Sequence, residues 1–233
     1  MDFLDRAKLL LPEFPSTPHL PFQPNTDRDD SVASEEQARV IFSAPIVTVE
    51  EKMDGAFVAW TLGDQDEVIL RNRNHVLRKG YTARTEAKRQ YAPLWNYAYE
   101  HADRLRAVRL ATGTRVGVCG EWLVMTHGTR YDKKRVKACP FVAFDLYDPD
   151  RGYYLDPQWA RHLLQEAGFT TPDLLASQVC SYEHLAELAR GPSSWSALDP
   201  REGVYVKVGD GQRVTHRFKM RRPGFKPGLY FKE

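Results

Sequence analysis

The run Ile46-Val47-Thr48-Val49, continuing into Glu50-Glu51-Lys52-Met53-Asp54-Gly55, limits the possible folds more than any other stretch of the chain. Its β-branched side chains lose rotamer freedom in a helix and pack well on a pleated surface, so residues 46–50 are predicted as a strand. Asp54-Gly55 marks a turn, and Ala56 to Leu62 reads as the strand returning from it. Lys52 then stands at a strand end, held by the sheet and open at the turn. One lysine so placed identifies no chemistry, since most lysines are solvated. The segments downstream decide what it is for.

Glu67 to Arg73 is the next predicted strand, and its period of two places Ile69, Arg71 and Arg73 on one face. Beside an anion site two such arginines would be phosphate ligands. From Thr82 to about Leu110 the pattern turns helical, with Tyr91, Leu94, Trp95, Ala98 and Leu105 near the 3.6-residue repeat and Arg84 and Lys88 among the polar positions. Trp95 and the tyrosines read as packing residues. Thr114 to Leu123 and Pro140 to Leu146 are further strands, joined through a basic connection, Lys133-Lys134-Arg135 and Lys137. That run is either a patch for a polynucleotide backbone or a solvated loop. Asp156 followed by Pro157 is an N-cap signal opening a helix over 158–167, which ends at Gly168; a second helix spans about 182–190. A last hairpin pairs 202–208 with 214–220 across the turn Asp210-Gly211.

Residues 1–44 differ from the rest. Pro12, Pro15, Pro18, Pro21 and Pro24 forbid a long helix, and Asp27, Asp29, Asp30, Glu35 and Glu36 make the next stretch acidic. Such a leader is either flexible or an extended strap, and Phe14, Leu20 and Phe22 favour a strap packed on a domain comprising residues 45–233.

Composition removes several classes. With 233 residues, 42% hydrophobic and 12% aromatic, the chain can bury a substantial core. No apolar run approaches the roughly 20 residues of a membrane helix, and the start lacks the basic and apolar regions of a signal peptide. Cys119, Cys139 and Cys180 are odd in number and far apart, which argues for free thiols in a reducing, cytoplasmic setting. No cysteine or histidine spacing suits structural zinc. A net charge of +2 confines any nucleic-acid surface to a local patch. Gly209-Asp210-Gly211 has neither the third glycine nor the helix of a dinucleotide fingerprint, and no phosphate-loop or nucleophile-elbow motif is present.

Taken in order, Glu51-Lys52-Met53-Asp54-Gly55, Arg73-Asn74, Gly120-Glu121, Phe144-Asp145, Glu202-Gly203 through Lys207, and Arg217-Phe218-Lys219 resemble the motif set of the covalent nucleotidyltransferases, the superfamily of polynucleotide ligases and capping enzymes. More narrowly the chain resembles the ATP-dependent RNA ligase family. Thr17-Pro18-His19-Leu20-Pro21 and Asp29-Asp30 in the leader, Thr126-His127, Tyr131-Asp132, and Arg221-Arg222-Pro223-Gly224-Phe225 carry that closer likeness.

The resemblance implies an α+β nucleotidyltransferase fold, two mainly antiparallel sheets with flanking helices and the nucleotide between them. It implies ATP, Mg2+ or Mn2+ as cofactors, and as partner an RNA with 5′-phosphate and 3′-hydroxyl ends. Lys52 would attack the α-phosphate and carry AMP as a phosphoramidate. A lysine amine is protonated at neutral pH, so nearby positive charge, from metal and from Arg217 and Lys219, is expected to lower its pKa. Arg73 would hold a phosphate or the ribose region, Glu121 the ribose hydroxyls, and Phe144 would stack on adenine. Glu202 would bind or organise metal, Lys207 and Lys219 would contact the α-phosphate, and Glu50 or Glu51 would lie beside the base.

Two departures stand out. The last motif normally reads Lys-x-Lys, whereas here Arg217 takes the first place, keeping the charge but unsuited to proton transfer. Only Met220 to Glu233 follows it, so no C-terminal OB-fold is expected. That favours an RNA ligase acting in RNA repair, and leaves room for a separate end-healing or RNA-binding protein as partner. A minimal DNA ligase, a capping guanylyltransferase and a catalytically inactive nucleotide- or RNA-binding module are the alternatives.

Overall fold

In a computed structural model, residues 2–21, 31–78, 90–226 and 228 are described. The four-stranded sheet joins Val214–Arg221 (β10), Gly203–Gly209 (β9), Ile46–Lys52 (β1) and Leu174–Ala176 (β8), in that spatial order. The six-stranded sheet runs Val76–Leu77 (β4), Val68–Asn72 (β3), Ala56–Leu62 (β2), Gly117–Trp122 (β5), Phe141–Asp148 (β6) and Tyr153–Tyr154 (β7). All neighbouring strands pair antiparallel. With the helices Ala92–Glu100, Ala102–Thr112, Pro157–Glu166 and Tyr182–Arg190 alongside, this is the expected α+β architecture.

One expectation fails at its centre. β1 and β2 form where the sequence places them, but they do not return on one another: they belong to different sheets. Gly55 does not take the positive φ of a tight hairpin. Its missing side chain serves a close approach instead, because a Cβ there would meet Leu123 Cδ2 and the Trp122 carbonyl oxygen, each at 2.8 Å. Met53, Asp54 and Gly55 are therefore a crossing between sheets, and Lys52 stands at its entrance.

Each sheet buries an apolar outer face. Val58, Trp60, Leu70, Val118, Phe141 and Leu146 pack against Leu94, Ala98, Leu105 and Leu164 of the helices. Val47, Val49, Val204, Val206 and Phe218 pack against Leu185, Ala189, Ile41 and Leu20. Apolar positions two apart on the strands and three or four apart on the helices produce this division. Asp156 caps its helix by accepting from the Gln158 and Trp159 N–H groups, as its sequence signal requires. The basic connection differs from expectation: Lys133–Ala138 is a short helix, capped by Asp132 accepting from Arg135 N–H. A helix Phe3–Leu10 precedes the proline-rich run. Among the described residues, no helix is long and apolar enough to cross a membrane. Phe22, Asp29, Asp30, Arg84, Lys88 and Lys232 lie outside the described residues.

Candidate active site

The inner faces of the two sheets enclose a polar groove. Strand register arranges the four-stranded side into three cross-strand rows: Thr48, Lys207 and Arg217; Glu50, Tyr205 and Lys219; Lys52, Gly203 and Arg221. Gly203 carries no side chain between Lys52 and Arg221, and a Cβ there would run into the Met220 carbonyl oxygen. The adjacent Glu202 carboxylate bridges the flanking cations. Its Oε2 accepts from Lys52 Nζ at 2.7 Å, and its Oε1 lies 3.3 Å from Arg221 Nε.

The opposite wall depends on an irregularity. Cys119 pairs with Asp145 and Gly120 with Ala143, so Phe144 is an extra, unpaired residue. In a regular strand Phe144 and Asp145 would face opposite ways; the bulge turns both toward the groove. Phe144 lines it together with Phe57, Glu121 and Arg73. Asp145 lies fully buried beneath, where its Oδ2 accepts from Arg217 Nε and Nη2, each at 3.2 Å.

Lys207 is fully buried in the same layer. Its Nζ donates to the Phe144 carbonyl at 2.6 Å and pairs with Glu50 at 2.8 Å and Asp145 at 3.3 Å. Glu50 also accepts from Arg161 at 3.1 Å. Lys207 and Arg217 therefore form an ionic floor under the groove, while Lys52, Arg73, Glu121, Phe144 and Lys219 line it. The two glutamates before Lys52 separate by strand alternation. Glu50 points inward to Lys207; Glu51 points outward and accepts from Ser193 Oγ at 2.5 Å.

The electrostatics reverse one expectation. The charges that dominate at Lys52 are carboxylates. Burial alone would drive its ammonium to lose a proton, but Glu202, Glu121 and Asp54 outweigh that cost and hold its pKa above the ordinary lysine value. Arg217, expected to crowd it, is committed to Asp145, with its guanidinium 4.2 Å from the centre of the Tyr154 ring. Burial raises the Glu121 pKa to about 8, against the attraction of Lys52. Burial likewise raises the Glu202 and Asp54 carboxyls.

A loop secures the crossing beyond Lys52. Asp54 N–H donates to Tyr131 Oη at 2.6 Å, and Asp54 Oδ2 accepts from Thr129 N–H at 2.6 Å. His127, in the same loop, is half-buried, and burial lowers its pKa. Arg71 is not at the groove: it is buried and donates to the Leu11 carbonyl at 2.6 Å.

Several groove residues escaped the sequence reading. Tyr205 lies two positions before Lys207 on one strand, so alternation alone would have placed it on the same face. Phe14 and Thr17 also line the groove, although only long-range packing brings them there. Glu121 Oε2 is buried without a hydrogen-bond partner, an open oxygen acceptor. No group of three or more His, Cys, Asp or Glu among the described residues has the geometry to hold a metal ion by itself. The available donors are carboxylate oxygens. They fit a hard divalent cation that keeps phosphate oxygens and water in its shell, and do not fit zinc.

Comparison with known proteins agrees with this architecture. A single-residue variant of Naegleria gruberi RNA ligase with ATP and Mn superposes with a TM-score of 0.59 at 20% identity, over 94% of this chain and 62% of that one. A second variant with ATP and Mn gives 0.57 at 22% identity, over 91% and 58%. The ligase with PPi gives 0.54 at 21%, over 91% and 58%. At such identities the likeness concerns the fold, and the present chain spans about three-fifths of the length of those structures. No curated protein matches. The sequence itself matches the family described as RNA ligase over residues 45–222, a stretch that contains both sheets and the whole motif series, and the chain therefore belongs to the RNA ligase family.

Proposed function

We propose that this chain is an ATP-dependent RNA ligase that joins 3′-hydroxyl and 5′-phosphate ends through AMP carried on Lys52. The observation that carries the reading is Lys52 at the crossing between sheets, in contact with Glu202 and facing Glu121, Arg73 and Lys219 across one groove. The solved RNA ligases with ATP and Mn share this fold and support ATP with Mg2+ or Mn2+ as the cofactors here.

In the first step the neutral Lys52 amine attacks the α-phosphorus. An N–P bond forms, the bond to the β-phosphate oxygen breaks, pyrophosphate leaves, and the nitrogen releases one proton. Lys219 and Arg73, at the groove wall, neutralise phosphate charge as it develops. Phe144 and Tyr205, in contact with ring centroids 5.9 Å apart, form the apolar end against which adenine would sit. Glu121 Oε2 is placed to accept from a ribose hydroxyl. Lys207 and Arg217 act from the floor, where they fix the position of the Phe144 bulge; contact with the α-phosphate would require Lys207 to leave Glu50. Glu50 is the glutamate on the nucleotide side. Glu202 would hold a divalent metal, which would supply charge neutralisation to the phosphates. Glu202 also holds the Lys52 proton, which Nζ must give up before it attacks.

An oxygen of an RNA 5′-phosphate then attacks the same phosphorus and the N–P bond breaks, restoring Lys52 as the leaving amine. A 3′-hydroxyl finally attacks the RNA phosphate and AMP leaves. The role in RNA repair and a cytoplasmic site of action belong to the same reading, the latter supported by free Cys119, Cys139 and Cys180.

Incubation with α-labelled ATP and Mg2+ or Mn2+ tests it. An adduct of one AMP on Lys52, followed by sealing of nicked RNA, is the expected outcome. An adduct made from GTP, or sealing restricted to DNA 3′-hydroxyl strands, would move the chain to a capping or DNA-ligase activity. Binding of ATP with neither adduct nor sealing would make it an inactive module.

A further inference from the structure

We propose that the proline-rich leader is a working wall of the nucleotide groove, with Phe14 and Thr17 as residues that set affinity for the adenosine moiety; this rests on the ligase reading above. Phe14 belongs to no motif, and Thr17 opens the leader motif Thr17–Pro21, to which the resemblance assigns no role. The family match begins at residue 45, downstream of both.

Sequence and structure agree on how they arrive there. Pro12, Pro15, Pro18 and Pro21 recur every three residues, and a chain of polyproline type makes one turn in three residues. Phe14 and Thr17 share that spacing and occupy a common side. Leu20 is buried in the core behind the four-stranded sheet, while Phe14 and Thr17 line the groove. Proline fixes φ and donates nothing, which keeps the strap extended without a sheet partner along most of its length.

The strap pairs at His19, with Val32 on one side and with Lys219 on the other. Lys219 N–H donates to the Pro18 carbonyl at 3.0 Å, and Leu20 N–H donates to the Lys219 carbonyl at 2.9 Å. The leader thereby anchors the backbone of a lysine that faces the phosphates. One turn earlier, Thr17 Oγ1 lies 3.1 Å from Tyr205 Oη. Thr17 is 7% exposed, so this hydroxyl pair is shielded from water. Phe14 stands 4.8 Å from Phe57 and 5.8 Å from Phe144, centroid to centroid, and edge-on to the latter. Phe144 and Tyr205 are the rings assigned to the base, and each is positioned by a leader side chain.

The test uses the full chain and reads adduct formation against ATP concentration. Phe14→Ala is expected to raise the KM for ATP about tenfold, within the range for losing one aromatic contact to a base, with kcat little changed. Thr17→Val keeps nearly the same shape and removes only the hydroxyl; about a fivefold rise is expected from one lost hydrogen bond. Phe14→Leu separates packing from recognition. A thermal midpoint like wild type with KM still raised supports the proposal, whereas recovery of both overturns it.

Hydrogen exchange on Lys52→Ala with ATP and Mg2+ gives a reading independent of turnover. Slowed exchange over residues 14–20, together with β1 and β9, is the expected result. Protection of β1 and β9 alone, with unchanged KM in the variants, overturns the leader's role and leaves the ligase reading standing. No protection in the groove and no wild-type adduct would bring down both.

Discussion

Lys52 donates to Glu202 across 2.7 Å, so the nucleophile and the proposed metal-binding carboxylate neutralise each other before substrate arrives. The amine is stored as an ammonium, and its release depends on something else engaging Glu202. Lys52→Ala is expected to abolish the AMP adduct, seen as loss of the added mass in an intact-protein spectrum, while retaining some sealing of pre-adenylated nicked RNA. Glu202→Ala should leave Lys52 present but lower adduct formation about a hundredfold, the usual scale for removing one group that stabilises developing charge.

The same pair dictates how Lys52 responds to pH. Burial favours the neutral amine, but the carboxylates win and the pKa lies above the ordinary value. Below that pKa the neutral fraction grows about tenfold per pH unit. Competitive acylation of Lys52 in the absence of ATP and metal should therefore rise steeply with pH. Glu202→Gln removes the strongest attraction and should make Lys52 label faster at every neutral pH. Equal labelling rates in the two proteins would show that Glu202 does not hold the proton.

Glu121 supplies a second pH signature, in stability. Its carboxyl is raised to about 8 by burial, above the unfolded carboxylate range. A raised pKa means that the folded state holds a proton the unfolded state releases, so this contribution is complete below about pH 4 and is lost as pH rises toward 8. Thermal midpoints measured from pH 5 to 8 should fall more in wild type than in Glu121→Gln, which carries no titrating group there. Parallel curves would sink the assignment.

Tyr131 is the support behind the nucleophile. Its hydroxyl accepts from Asp54 N–H at 2.6 Å, two residues past Lys52. Tyr131→Phe strands that N–H and should cost about 1–3 kcal/mol of stability. Because Tyr131 holds the backbone beside Lys52 and is not among the residues lining the groove, kcat for adduct formation should drop with KM for ATP unchanged. A raised KM with constant kcat would instead make Tyr131 part of the nucleotide contact.

Much of this architecture was legible in local pattern. Strand patterns placed β2 on its bounds, β9 one residue early and β1 two residues short, and Asp156-Pro157 announced its helix. Pairing was not legible, because it depends on distant partners: Asp54-Gly55 looks like a hairpin turn, and only the approach of Trp122 and Leu123 makes it a crossing. Residue type also does not reveal charge balance. Arg217 and Lys207 were read as cations aimed at the nucleotide, yet the Phe144 bulge turns Asp145 into the groove floor and binds both. The Lys133–Ala138 helix was missed because its only local signal was Asp132 as a cap.

That floor yields the last prediction. Asp145 is fully buried and is shared between Lys207 Nζ at 3.3 Å and Arg217 Nη2 at 3.2 Å. Glu50 offsets Lys207 as well, but Asp145 is the acid that reaches both cations. Removing one member of a buried ionic set costs about 3–5 kcal/mol, because the remaining charges stay desolvated without compensation. Asp145→Asn should therefore lower unfolding stability by that amount in urea titrations, with the slope unchanged. Asp145→Asn combined with Arg217→Met removes one charge of each sign and should recover part of the loss. Were the double variant no more stable than the single one, the Asp145–Arg217 pair would not be coupled, and the floor would have to be held by packing around Tyr154 and Phe14 instead.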